Sequence, residues 1–582
     1  MHFIDLNHLT SGAVLETDLC VVGTGPAGAS IALEFEGTGI DVLMVESGGF
    51  NYEVDTQSCY EIESTGAQRE LRQNDLRRRV LGGSSRIWSG RCAPFSEIDF
   101  SKRSWIPHSG WPFSLDELRP YLGRATQRLR LGADCFDERL WQYFKARLPF
   151  PPLDKRFLEP MFWQFSKSLS HLDTPVNFAS DLMRSKAANL RVLLHANVTQ
   201  INTNPEGTSI ASLGVSSLRR RHAKIRARCL VLACGAIENA RLLLASNRLI
   251  REGLGNGNDM VGRFLMDHTT CVLGNFSPND SDPIRDRFGH YWLDDGPRRT
   301  SVLHGLALSK ETQSREQLLN CHAYVEGYDV AEDDPWSAMR QLRPAVLSTQ
   351  FATASGNLLK TAGHFGEVLG GIYRRQIRHR PELVRFKRVE LQCILEQIPD
   401  PDSRITLAEG SVDALGMPLS SIHWKISQLE RQTARRMREI IFLELRRLGL
   451  PVPQPTPGLD DDNAEAHFFE RAHPAGSTRM SSDPKRGVVD QNCQVHGIDG
   501  LFLAGSSVFP TSGAANPTLM IVAMALRLAD WLRQHFFSSS AIEPTSISVP
   551  GSHDESRITA PTSVPIRSRR IRVNAFQKSS LR

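Results

Sequence analysis

Nowhere in these 582 residues is there a run of about eighteen apolar side chains, the length a helix needs to cross a bilayer. The longest such stretch, Leu519–Leu526, is short enough to read as a buried helix. The ten cysteines are scattered and form no CxxC pair. That spacing excludes a zinc-ribbon site and a disulfide framework, and it points to a reducing compartment. CxxCH is missing as well, so any heme would have to come from a partner. The opening MHFIDLNHLTSGAVLETD lacks a basic segment followed by an apolar one. It does not read as a secretion signal, so a cytoplasmic location is expected unless a signal-bearing partner carries the chain out. Excess charge of one sign is also lacking: 69 basic residues against 64 acidic ones, interspersed, give a net charge of +5. That balance argues against a nucleic-acid partner.

The chain is too long for one simple core, so two or more lobes are expected. From about Ser538 to Arg582 the sequence is rich in Ser, Pro and Thr and poor in aromatics. It cannot bury a core and is expected to be a disordered, solvated tail. Three separated stretches read as α/β: residues 17–50, 190–245 and 500–535. Between them, 320–330 and 387–407 read as strands, with PDPDS as a turn. Residues 427–450 read as an amphipathic helix ended by Gly449 and Pro451. This alternation suggests an α/β fold in which one discontinuous domain carries an inserted second domain.

DLCVVGTGPAGASIALEF places Gly23, Gly25 and Gly28 between an apolar strand and a helical run. Gly23 permits a tight turn, Gly25 lets the backbone approach a pyrophosphate, and Gly28 lets helix and strand pack closely. The helix starts at Pro26, which has no N–H, and the N–H groups from Ala27 onward are free for phosphates. A second strand follows and ends at Glu46, 18 residues past Gly28, with Ser47 beside it. A carboxylate there accepts hydrogen bonds from ribose hydroxyls and disfavours a 2′-phosphate. NAD and FAD share this fingerprint. The Gly82-Gly83-Ser84-Ser85 run could pass close to a flat flavin and present N–H and hydroxyl donors, or it could be a surface loop.

These segments together resemble the glucose–methanol–choline (GMC) family of FAD-dependent oxidoreductases. VVGTGPAGASIALEF and VLMVESGG are similar to its ADP-binding start, and VLGGSSRIWSG to its flavin-approach loop. SGWPFSLDELRPYL (109–122), VGRFLMDH (261–268) and VLACGAIENARLLLAS (231–246) resemble its middle segments. HPAGSTRM and GAANPTLM fall within its C-terminal signature, and the likeness extends to about residue 536. The style of the motifs is nearer the sugar- and polyol-oxidising branch, such as pyranose oxidases and fructose dehydrogenase-like subunits. The resemblance implies a Rossmann-like FAD-binding domain (1–100, 185–270 and 481–537). Into it is inserted an antiparallel-sheet-plus-helix substrate domain with a cap (101–184 and 271–480).

The resemblance also implies the chemistry. Hydride leaves an alcohol carbon readily once the hydroxyl proton is removed, so a base of near-neutral pKa is needed. That role falls to His473, with Asn516 holding the developing alkoxide through an amide N–H. Cofactor contacts are expected, besides the glycine turn, from Trp88, Val198, Ala233, Gly235, Gly505, Ser506, Pro517 and Thr518. His268 and His496 read as structural. NPTLMIVAMALRLADWL reads as a helix with Asn516 at the N-cap and Pro517 at N1, its dipole aimed at the ring. Where some sugar-oxidising relatives carry the histidine that bonds covalently to the flavin, this chain has Ile87, so non-covalent FAD is expected. The expected activity is oxidation of an alcohol, polyol or sugar. Oxygen, a quinone or an electron-acceptor protein would complete the cycle. The alternative is a flavin protein of the same fold with a lyase-type or tailoring reaction. No metal is expected.

Overall fold

The computed structural model describes residues 1–70, 72–144, 150–168, 174–295, 298–339, 363–380, 383–461 and 468–538. Apart from Ser538, the expected tail lies outside the described residues. Among them, no helix is long and apolar enough to cross a membrane.

The first sheet has eight strands. Its parallel part is His2–Asp5 (β1), Ala13–Val22 (β2), Val42–Val45 (β3), Leu190–Leu194 (β7) and His222–Leu232 (β10), in the order β1-β7-β3-β2-β10. Asn197–Thr203 (β8) and Ile210–Ser216 (β9) continue it as antiparallel strands beyond β10. Leu501–Leu503 (β18) joins in parallel with Leu230–Leu232. The central strands carry continuous buried apolar runs, Leu19–Val22, Val42–Val45 and Cys229–Leu232. Pro26–Glu34 (α1) follows β2 directly, and its small residues let it lie close to the sheet. A Cβ at Gly28 would stand 2.0 Å from the Gly23 carbonyl oxygen. Thr518–Trp531 (α5) is apolar on nearly every face and is correspondingly buried. The helix Leu115–Arg128 (α2) packs on it. Arg124 and Arg128 of α2 both reach Glu34 on α1, and Arg124 also reaches Asp530 on α5. This part of residues 101–184 therefore sits with the cofactor half.

The second sheet has nine strands and is antiparallel throughout. It contains Arg91–Cys92 (β5), Leu158–Phe165 (β6), Thr269–Phe276 (β11), Arg298–Leu308 (β13), Cys321–Val330 (β14) and Phe386–Leu395 (β15). The strands and turn expected over 387–407 are present: β15 ends at Leu395, and after PDPDS Arg404–Val412 starts a small third sheet. In that third sheet Pro418–Trp424 pairs in parallel with Ile62–Gly66, tying the two halves together. The amphipathic helix Gln428–Arg447 (α4) begins with a capping box of Ser427 and Glu430 and stops where Gly449 takes φ +65°. Its buried Ala434, Met437, Ile441 and Leu445 pack with Leu391, Cys393 and Leu395 of β15. Alternation along the strand then turns Glu390, Gln392 and Ile394 to the opposite face, which forms one wall of a large cavity.

Candidate active site

A cavity of about 1850 Å³ lies between the two sheets. It is lined at one end by Gly23, Gly25, Pro26, Ala27, Glu46, Ser47, Gly83, Ser84, Ser85 and Trp88, with Val198, Ala233 and Gly235 beside them. His473, Gly505, Ser506, Asn516, Pro517 and Thr518 also line it. Gly28 and Gly82 do not. Gly28 is a packing residue behind the turn. Gly82 has φ +88°, and a Cβ on it would stand 2.7 Å from Ala179 N.

The cofactor end is assembled by a residue that motif reading passed over. Thr24, fully buried, donates its hydroxyl proton to the Glu46 carboxylate and accepts the Gly82 N–H at 2.9 Å. One side chain thus ties together the glycine turn, the acid at the end of β3 and the GG loop. The other Glu46 oxygen accepts the Gly48 N–H at 3.0 Å. Burial pushes the Glu46 carboxyl above its usual range, against the pull of Thr24 and Gly48. Donors such as a ribose diol would favour its charged form.

Ser85 Oγ donates to the Gly82 carbonyl at 2.6 Å and accepts the Phe178 N–H at 3.2 Å, so its hydroxyl serves the loop rather than a ring. Trp88 donates its indole N–H to the Val176 carbonyl at 2.8 Å.

At the other end HPAGSTRM threads between two chain segments, which explains its small residues. Met266 and Ala475 exchange backbone hydrogen bonds of 3.0 and 2.8 Å. On the opposite side Thr478 N–H donates to the Ser507 carbonyl at 2.9 Å. A Cβ on Gly476 would stand 2.4 Å from the Phe264 carbonyl oxygen. His473 emerges at the start of this ladder, half-buried, with Nε2 3.4 Å from the Asn516 amide nitrogen. The Asn516 Oδ1 is buried and has no partner among the described residues. Asn516 is not the helix cap: α5 begins at Thr518, Pro517 occupies the cap position, and the Asn516 side chain is left free for the cavity.

His268, read from sequence as structural, stands directly beside His473. It is 1 % exposed, its Nδ1 lies 2.9 Å from the Nδ1 of His473, and its Nε2 lies 3.0 Å from the Ser512 carbonyl oxygen. His496 does bond only to backbone, its Nε2 lying 2.9 Å from the Ser481 carbonyl oxygen. Burial, then the neighbouring His268, Arg471 and Arg91, hold the His473 imidazole well below the ordinary histidine range. It is therefore neutral, and one ring nitrogen keeps a lone pair at neutral pH.

Next to His473 stands a polar wall. Arg471 Nε donates to Thr270 Oγ1 at 2.9 Å, and an Nη donates to Gln392 Oε1 at 2.7 Å and to the Tyr324 hydroxyl. Gln392 in turn donates to the Tyr328 hydroxyl at 2.7 Å and to Glu390 at 2.6 Å. Arg91 pairs with Glu326 at 3.1 Å and stacks over Tyr324 at 4.6 Å. The signal for this wall was present in HAYVEGY (322–328) and ELQCIL (390–395), where polar and apolar side chains alternate. Residues 340–362, beyond the first of these segments, lie outside the described residues.

The geometry suits FAD. Gly25 has nothing within 4 Å of where a Cβ would project, and its φ of −67° is open to any residue. The protein itself therefore gives no reason for glycine there, whereas a close phosphate does. The buried Glu46 carboxylate lines the cavity at the glycine-turn end, and the Asn516 oxygen, without a partner among the described residues, lines it near His473.

Comparison with known proteins agrees. Residues 399–525 match the profile of the family described as GMC oxidoreductase. C-glycoside 3-oxidase of Microbacterium trichothecenolyticum is 34 % identical over 474 residues, 77 % of this chain and 74 % of that one. 2-methyl-1,2-propanediol dehydrogenase of Mycolicibacterium austroafricanum is 24 % identical over 90 % of this chain and 96 % of its own. The crystal structure of pyridoxine 4-oxidase from Mesorbium loti shares the fold. Its TM-score is 0.53 at 18 % identity, over 89 % of this chain and 99 % of that one. A glycine turn between strand and helix, a buried acid at the end of β3 and a C-terminal signature that brings His473 and Asn516 to one cavity, together with this identity, place the chain in the GMC family as an FAD-dependent oxidoreductase of CH–OH groups.

Proposed function

We propose that the enzyme oxidises an alcohol carbon of a sugar or polyol, with His473 as the base and Asn516 as the group that holds the substrate oxygen. The observation that carries this reading is the 3.4 Å gap between His473 Nε2 and the Asn516 amide nitrogen at the cavity surface. That is long for a direct hydrogen bond. An alcohol oxygen seated there donates its proton to Nε2 and accepts the Asn516 N–H, completing both. Bound FAD supplies the hydride acceptor. As the O–H proton moves to Nε2, negative charge grows on the oxygen. The Asn516 dipole and the Arg471 cation stabilise it without reorganising. Arg471, Gln392, Tyr324, Glu326 and Glu390 offer donors and acceptors in close succession, which suits a substrate with several hydroxyls. The names of the relatives, a C-glycoside 3-oxidase and a propanediol dehydrogenase, point the same way. FAD is held without a covalent bond in this reading, because Ile87 lines the cavity and offers no nucleophile.

Anaerobic stopped-flow mixing with a panel of sugars and polyols tests the proposal. A subset should bleach the flavin, and His473→Ala should slow that bleaching by about 100- to 10,000-fold while FAD stays bound. Full-rate bleaching in the variant would remove His473 from the mechanism. Acid precipitation should leave the yellow colour in the supernatant; colour in the pellet would show a covalent link.

A further inference from the structure

VGRFLMDH ends in two residues that the chemistry above does not use, Asp267 and His268. Both are buried, and both face the His473 segment. Asp267 Oδ1 accepts the backbone N–H of His473 at 2.9 Å and that of Arg471 at 3.3 Å. Between those two residues Ala472 is held at φ +57°, a left-handed conformation that a residue with a Cβ adopts only at a cost. The carboxylate that bridges the flanking N–H groups keeps it there. Arg69 pairs with Asp267 at 3.1 Å and balances its charge.

His268 acts on the ring rather than the backbone. Its Nε2 faces the Ser512 carbonyl, which can only accept, so Nε2 carries the proton. Burial holds the His268 pKa below its ordinary range and keeps the ring neutral, which leaves Nδ1 with the lone pair. That lone pair faces the Nδ1 of His473 at 2.9 Å, so His473 must carry its own proton on Nδ1. The remaining nitrogen, Nε2, is then bare, and it is the one beside Asn516.

We infer that Asp267 and His268 form a positioning clamp: the first fixes the strained backbone under His473, and the second selects the tautomer that leaves Nε2 free to take the substrate proton. This rests on His473 being the base. When that base becomes an imidazolium, the Nδ1–H it already donates to His268 strengthens, since hydrogen bonds from charged donors are about twice as strong as neutral ones. The proton stays on His473; His268 does not have to take it.

Two amide substitutions separate tautomer selection from simple filling of space. In His268→Asn the side-chain oxygen falls where Nδ1 was, so the acceptor for His473 is kept and the bond to Ser512 is lost. In His268→Gln the amide reaches the Nε2 position, so the Ser512 bond is kept and the acceptor is lost. Each variant orphans one partner. Flavin reduction should stay within about fivefold in His268→Asn and fall by about 100-fold in His268→Gln, the lower end of what a misdirected base costs. Nitrogen-15 histidine NMR of the purified protein gives a readout independent of turnover. In the wild type and His268→Asn the bare nitrogen of His473 should be Nε2, and in His268→Gln a Nδ1-bare population should grow in. Equal losses in both variants with an unchanged tautomer would overturn the clamp. So would a wild-type His473 that carries its proton on Nε2, which decides the matter even if a variant does not fold. If His473→Ala reduces flavin at full rate, the base assignment fails instead, whatever the tautomer.

Discussion

The two ends of the cavity are built from different materials. The cofactor end is mostly backbone: a glycine turn, a helix start and a left-handed loop, pinned by the Thr24 hydroxyl and one buried acid. The opposite end is mostly side chains: Arg91, Tyr324, Gln392 and Glu390 from three strands, joined by Arg471 from the segment that leads into His473. A backbone site tolerates almost no change of residue, because a Cβ is enough to fill it. A side-chain site can be rewritten one residue at a time without moving the chain.

The sharpest way to break that contrast lies within the glycine turn. Gly28→Ala places a Cβ 2.0 Å from the Gly23 carbonyl and should cost the fold of the cofactor half, giving protein without flavin and without a cooperative thermal transition. Gly25→Ala meets nothing within 4 Å and should fold normally, yet bind FAD about 100-fold more weakly, as equilibrium titration of the apoprotein would read. Equal damage from both would mean the turn is purely structural. At the substrate end Arg471→Met removes donors to Thr270, Gln392 and Tyr324 but should leave flavin content unchanged. Hydrogen bonds to charged groups contribute about 1.5–3 kcal/mol, so kcat/KM should fall about 10- to 100-fold.

The smallest effect is in pH dependence. A base whose pKa is depressed stays neutral to lower pH, so flavin reduction should remain on its plateau below about pH 6.5, the ordinary histidine value. Arg471 disfavours the protonated ring, so in Arg471→Met the acid limb should move to higher pH. An unmoved limb would uncouple Arg471 from His473.

The same contrast explains what the sequence revealed. The glycine turn, Glu46 and the C-terminal signature were legible because backbone geometry demands particular residue types at fixed spacings. The β2–α1–β3 unit and the helix over 428–447 followed from periodicity and caps for the same reason. Thr24 was not legible: a threonine between two glycines does not reveal that its hydroxyl will meet both the acid at the end of β3 and the GG loop. Nor was His268, which lies 205 residues from His473 and meets it only because residues 266 and 475 pair. The helix start at Asn516 was misplaced by a residue because an asparagine before a proline has the signature of a cap whether or not its side chain turns inward.

The strand Leu501–Leu503 closes the exposed margin of β10 at Leu230–Leu232, nearly half the chain after that margin is made. On the ribosome, then, the nucleotide-binding layer emerges early with three peptide units bare on one side, a template for unwanted strand pairing. The residues that cover it arrive just ahead of Asn516. Sealing the layer and bringing Asn516 to His473 are therefore successive moments of the same late event in synthesis.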